Sequence, residues 1–113
     1  MQRKPTKNTR GPNAREKRFL DFTKDSSCII CDKPGSSIVH HCMGATYKHN
    51  KVLIGHAFVI PLCYEHDSVI TLGSRRGFTD KFGLQSDLWH KHYSKSTISF
   101  SDEVVDAILD SRC

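Results

Sequence analysis

The stretch Pro61-Leu62-Cys63-Tyr64-Glu65-His66-Asp67 decides the fold, read together with Cys28-Ile29-Ile30-Cys31 upstream. Each carries two metal-competent side chains with two residues between them, and the 31-residue segment 32–62 separates the pairs. Thiolates and imidazoles are the usual ligands of a structural zinc, and two such pairs brought together complete a tetrahedral Cys3His set. Turn chemistry follows the first pair in Asp32-Lys33-Pro34-Gly35, and Pro61 gives a helix boundary ahead of the second. The expectation is a structural Zn2+ on Cys28, Cys31, Cys63 and His66. The plainer reading leaves buried thiols and a surface histidine with no shared ion. Cys42 and Cys113 are left over, without an assigned role.

A staple of this kind is needed. The chain has 113 residues, of which 37% are hydrophobic, so one domain with a modest core is the most it can build. Five cysteines are an odd number, and no apolar stretch resembles a signal peptide, which favours a metal over disulfides and a reduced, cytoplasmic setting. No apolar run approaches the roughly 18 residues of a spanning helix, so no membrane partner is expected.

Charge is concentrated at one end. Residues 1–18 carry Arg3, Lys4, Lys7, Arg10, Arg15, Lys17 and Arg18 against Glu16 alone, leaving ten basic and eleven acidic residues in the other 95. With Pro5, Gly11, Pro12 and no large apolar residue after Met1, this stretch is expected to be a disordered basic arm. An arm of this type suits phosphates, because each one neutralised releases counterions, so the seven basic residues are candidate nucleic-acid contacts. A solubilising tail is the blander reading.

Order is expected from Phe19-Leu20-Asp21-Phe22 onward. Ser37–His40 and Val52–Ile60 read as short strands interrupted at Gly44 and Gly55, with a hairpin between them. A helix is expected from Tyr64 to a stop at Gly73, a second over Gly83–Tyr93, and a third over Ser101–Leu109, where Val104, Val105, Ile108 and Leu109 share a stripe. Leu84, Leu88 and Trp89 are expected to pack, with His90, Lys91 and His92 facing water. His56 is expected to be a packed histidine. Lys48 and Lys51, in the loop between the strands with His49, and Arg75 and Arg76 after the first helix are further candidate phosphate contacts. Asp102, Glu103 and Asp106 make the last helix a poor DNA reader and a better surface for packing or for a protein partner.

Between the ligand pairs lies Ile38-Val39-His40-His41-Cys42. Neighbours on a strand point to opposite faces, so His40 and His41 can serve one site only where the strand ends. One imidazole could then hold a cation while the other takes a proton from water.

The order Cys-x2-Cys, His-His, then Pro-Leu-Cys-x2-His-Asp resembles the zinc-bound form of the HNH, or ββα-metal, endonucleases. It is most similar to the phage recombination-enhancement nucleases, which depend on a recombinase and carry a basic N-terminal region. The resemblance covers about residues 28–93, including Gly77-Phe78-Thr79-Asp80-Lys81-Phe82-Gly83. It implies a small α+β fold: a zinc-bound ββα-metal domain over 19–98, flanking helices, an amphipathic C-terminal helix over 99–113 and the disordered arm over 1–18. It implies His40 and Asp67 as ligands of a catalytic Mg2+ or Mn2+, and His41 as the base that activates water. DNA is the implied substrate, in phage or prophage recombination or replication, with a recombinase filament as a further partner. The chain departs from those relatives at Asp67, where they generally place histidine. It departs again over Val69-Ile70-Thr71-Leu72, where they often carry another. The implied activity is hydrolysis of DNA phosphodiester bonds. The alternatives are a non-catalytic zinc module that binds nucleic acid, or a recombination adaptor that docks through its last helix.

Overall fold

Helix α1 (Ala14–Asp25) begins five residues before the expected onset of order, because Asn13 and Glu16 form a capping box. The Asn13 side chain accepts from the Glu16 N–H at 2.8 Å, and Oε1 of Glu16 accepts from the Asn13 N–H at 3.0 Å. Satisfying two donors at a helix start stabilises it by about 0.5–2 kcal/mol. In this computed structural model residues 12–35, 37–43 and 48–113 are described. Arg15, Lys17 and Arg18, expected in the arm, therefore lie on the exposed side of α1, while Arg3, Lys4, Lys7 and Arg10 fall outside the described residues.

Strands β1 (Ile38–His41) and β4 (Val59–Leu62) pair antiparallel, with His40 opposite Ile60 and His41 opposite Val59. All four residues of β4 are buried, as a strand covered on both faces requires. The expected hairpin is thus real but elaborated. Between its strands lies a second, smaller hairpin of β2 (Lys48–His49) and β3 (Val52–Leu53), turned by Asn50 and Lys51 at φ 53° and 68°. Positive φ at both central positions is the geometry of a two-residue turn that follows strand twist. A single 3₁₀ turn, Gly55–Ala57, then leads into β4.

Helix α2 (Tyr64–Ser68) continues into one π-helical turn, Val69–Gly73, closed by the Ser74 N–H on the Val69 carbonyl at 3.1 Å. The unexpected element is α3 (Arg75–Phe82), capped by the Ser74 hydroxyl on the Gly77 N–H at 2.9 Å. It ends at Gly83, whose φ of 95° favours glycine. Helices α4 (Gln85–Tyr93) and α5 (Asp102–Ser111) follow.

The core joins Phe19 of α1, Phe58, the β4 side chains, Phe78 of α3, Trp89 of α4 and Ile108 of α5. Trp89 is fully buried, stacks on Tyr93 at 4.7 Å, and donates its indole N–H to the Ala57 carbonyl at 2.7 Å. His92, expected in water, is instead 2% exposed. It stacks on Phe22 and lies 2.8 Å from the Thr23 hydroxyl through Nε2. That hydroxyl already donates to the Phe19 carbonyl, so its oxygen accepts the His92 Nε2–H. His90 and Lys91 are exposed as expected. The protein is a small α+β domain of helices and two small sheets, and among the described residues no helix is long and apolar enough to cross a membrane.

Candidate metal centre and the adjoining histidines

The two ligand pairs meet because the loop after α1 is tied to the end of β4. The Ile29 N–H donates to the Pro61 carbonyl at 2.9 Å, placing Cys28 and Cys31 beside Cys63. The loop itself is a tight knuckle in which the Asp32 N–H reaches the Cys28 carbonyl at 2.8 Å. Asp32 at φ 58° and Gly35 at φ 101° bend the chain there. From the other side, Cys63 caps α2, and the first turn of that helix turns His66 back toward it.

The four ligand atoms of Cys28, Cys31, Cys63 and His66 all lie within 4.8 Å of one another. Cys31 Sγ is 3.9 Å from Cys63 Sγ, and His66 Nδ1 is 3.2 Å from Cys63 Sγ and 3.7 Å from Cys28 Sγ. Tetrahedral zinc bonds of about 2.3 Å to sulfur and about 2.0 Å to nitrogen give ligand edges of roughly 3.5–3.8 Å. The donor set and its spacing fit, so the cluster can hold a structural metal ion. Burial works against the Cys28 thiolate, yet hydrogen bonds from the Cys31, Cys63 and Ile30 backbone hold its pKa below the usual value. At Cys63 burial is likewise outweighed, here by the His66 backbone and imidazole. Thiolate is the form that binds metal.

His40 and Asp67 lie beside this cluster. His40 projects from β1 and Asp67 from α2, one residue beyond His66, and His40 Nδ1 lies 3.1 Å from Asp67 Oδ1. Both side chains are half-buried, at 12% and 15% exposure. His41, the last residue of β1, turns the other way and places Nε2 3.3 Å from His56 Nδ1, the rings edge to face. The doublet therefore divides its contacts, as strand geometry requires. Burial first, then the charges of His56 and His40, lower the pKa of His41. At neutral pH a lowered value leaves the ring unprotonated and able to accept a proton.

His56 is packed, as expected, with its ring edge to face on His41, and what local sequence does not show is which ring it meets. Its N–H donates to Oε2 of Glu16 at 3.1 Å, which fixes the 3₁₀ turn against the start of α1 and carries the imidazole to His41. No local pattern marks this, since Glu16 is 40 positions away. The other candidates scatter. Lys48 and Lys51 are exposed on the small hairpin, and Arg75 and Arg76 on the first turn of α3. His49 and Asn50 both engage Asp110 of α5, at 2.8 and 3.2 Å.

Residues 3–99 match the family described as "Protein of unknown function (DUF968)". The chain belongs to DUF968. That span takes in both ligand pairs, the doublet, Asp67 and helices α1 to α4, so the candidate metal centre of this DUF968 protein lies wholly within the family region, and α5 outside it. No curated protein and no solved structure matches the chain.

Proposed function

We propose that this DUF968 protein is a metal-dependent DNA endonuclease of the HNH type, with a ββα-metal unit formed by β1, β4 and α2. One observation carries the reading: the His40 imidazole and the Asp67 carboxylate converge on the strand and helix that adjoin the Cys3His cluster, with His41 next along the strand. The carboxylate suits Mn2+ or Mg2+, ions that complete their shells with water and substrate phosphate, and the imidazole favours the softer Mn2+ of the two. When bound, that cation would offset the charge building on the phosphate and on the leaving 3′ oxygen. His40 and Asp67 would hold that ion, and a structural metal on the Cys3His cluster would fix the relative position of their elements. His41, whose ring turns toward His56 at the point where β1 ends, is the base that takes a proton from water approaching from that side of the strand end. The basic stretch of residues 1–18, with Lys48, Lys51, Arg75 and Arg76, supplies contacts to the DNA backbone. A recombinase filament is a second proposed partner, and the bacterial cytoplasm the proposed setting.

The rival reading is a non-catalytic zinc module that binds nucleic acid. It draws on the same pair, since His40 and Asp67 also satisfy each other directly and need no ion to do so. In the third reading, an adaptor, Asp102, Glu103 and Asp106 on the exposed side of α5 would meet a protein partner.

Conversion of supercoiled plasmid to nicked or linear forms with Mg2+ or Mn2+, with and without recombinase-coated single strand, separates them. Cleavage by the wild type and none by His41→Ala, both retaining zinc and DNA binding, supports the nuclease. DNA binding without cleavage under every condition supports the binding module. Absence of both leaves the adaptor.

A further inference from the structure

A groove of about 560 Å³ runs between the first turns of α3 and the end of α5, lined by Arg75, Arg76, Thr79, Leu84, Arg112 and Cys113. Three of its six lining residues are arginines and no lining side chain is acidic, the Asp110 carboxylate lying outside the lining but within electrostatic reach of Arg112. Among the described residues no ion pair engages any of the three. Among the described residues the side-chain hydrogen bond of Arg75 runs from Nη2 to the weak acceptor Sδ of Met43, at 3.6 Å. Guanidinium groups stay charged at all accessible pH, and even with the Asp110 carboxylate within electrostatic reach of Arg112, three around one groove favour the entry of an anion.

The groove is built by the fold. Arg112 closes α5 in the left-handed region, φ 52° and ψ 39°, where glycine is the residue of lowest cost. The bend it makes brings the chain back over α4, where the Ser86 N–H donates to the Cys113 carbonyl at 2.9 Å. Arg112 is thereby held opposite Arg75 and Arg76, two helices further along the chain.

We propose that Arg75, Arg76 and Arg112 form a clamp for the phosphodiester backbone of a nucleic-acid strand. Forked guanidinium donors match phosphate oxygens two at a time, and the Thr79 hydroxyl adds a neutral donor. Three positive charges along an open groove fit successive phosphates of a strand better than one free anion. The contact from Arg75 to Met43 places the groove next to the end of β1, two residues beyond His41. A strand held in it continues toward the doublet. Only that last step rests on the nuclease reading; the clamp itself requires backbone binding and no chemistry.

The test is equilibrium binding of the full chain to a labelled mixed-sequence DNA oligonucleotide, single-stranded and duplex, without added divalent cation and over a range of salt. The variants are Arg112→Gly and the double Arg75→Gln/Arg76→Gln. Glycine accepts the left-handed conformation, so Arg112→Gly removes the charge without straining the fold, which zinc content and melting temperature verify. Each arginine that neutralises a phosphate contributes about one unit of the salt slope. The expected result is a slope smaller by about one for Arg112→Gly and about two for the double variant, with weaker binding at low salt. Wild-type slopes in both folded variants overturn the proposal. So does a melting temperature raised by inorganic phosphate in the wild type but not in Arg112→Gly, if DNA binding is unchanged, since the groove then takes a free anion. Reduced slopes in a protein that never cuts plasmid leave the clamp standing and remove the nuclease. Cutting with unchanged slopes does the reverse.

Discussion

The His40 imidazole and the Asp67 carboxylate lie 3.1 Å apart, from residues 27 positions apart in sequence, one on a strand and one on a helix. That spacing serves either a hydrogen bond or two ligands of one ion, and substitution tells them apart. Asp67→Ala is expected to raise the Mn2+ concentration needed for half-maximal plasmid nicking at least tenfold, about 1.4 kcal/mol of cation binding. The melting temperature should fall only modestly, since one half-buried hydrogen bond contributes about 1 kcal/mol. Asp67→His should recover cleavage with Mn2+ better than with Mg2+, because imidazole suits the softer ion. Asp67→Ala with wild-type cation dependence would show that the pair is structural.

The five cysteines divide by environment. Four-ligand geometry places Cys28, Cys31 and Cys63 in the metal set, and burial pushes the Cys42 thiol well above its usual pKa. Cys113 is partly exposed and outside the cluster. A thiol reagent applied to the native protein with zinc bound is therefore expected to modify one cysteine per chain, Cys113, as located by mass spectrometry. After chelation all five should react as the protein unfolds, because binding of a structural metal is folding free energy. Rapid modification of Cys28, Cys31 and Cys63 with the fold intact would remove the metal centre.

How much of this was legible in the sequence follows from how far apart the partners lie. Cys28 and Cys31, and Cys63 and His66, announce themselves because two residues between ligands is a local requirement of the ion. The doublet and Asp67 were legible through the order of motifs in the resemblance. The start of α1 is hidden although its Asn13 and Glu16 box is local, because Gly11, Pro12 and the lack of a large apolar residue before Phe19 argue against order there. Helix α3 hides behind Gly77 and a β-branched Thr79, both weak helix formers, and the small hairpin behind Asn50-Lys51, a turn lacking the usual glycine. The burial of His92 and the pairing of His56 are hidden for a different reason. Their partners, Thr23 and Glu16, sit 69 and 40 positions away, and no window along the chain contains both members.

Burial, and secondarily the charge of Lys95, lowers the pKa of His92 from 6.5 to about 4. Between those values the unfolded chain binds a proton that the native state refuses, so stability rises with pH across this window. It is full above 6.5 and lost as pH falls toward 4. The span corresponds to about 3 kcal/mol as an order of magnitude. Acid also protonates the metal ligands, so the measurement is the difference in unfolding free energy between the wild type and His92→Gln in matched buffers. The variant is expected to be less stable at pH 7, for want of the stacked ring, and to lose less on acidification. Parallel curves from pH 7 to 4 would mean that the His92 ring protonates freely in the native state.

Gln85 occupies the first position of α4, fully buried, and among the described residues neither its Oε1 nor its Nε2 has a hydrogen-bond partner. Removing an amide from water without replacing its hydrogen bonds costs about 1–3 kcal/mol by protein mutational measures. Methionine has nearly the same length and volume, needs no partner, and is as good a helix former. Gln85→Met is therefore expected to stabilise the protein by about 1 kcal/mol, which for a domain of this size raises the melting temperature by roughly 4–8 °C. Gln85→Ala should destabilise it instead, since the cavity left behind outweighs the relief. The contrast between the two variants, read in one thermal melt each, isolates the polar penalty from the packing. If Gln85→Met melts below the wild type, the amide is making hydrogen bonds in solution, to water or to a ligand, and the start of α4 becomes a polar site rather than part of the core.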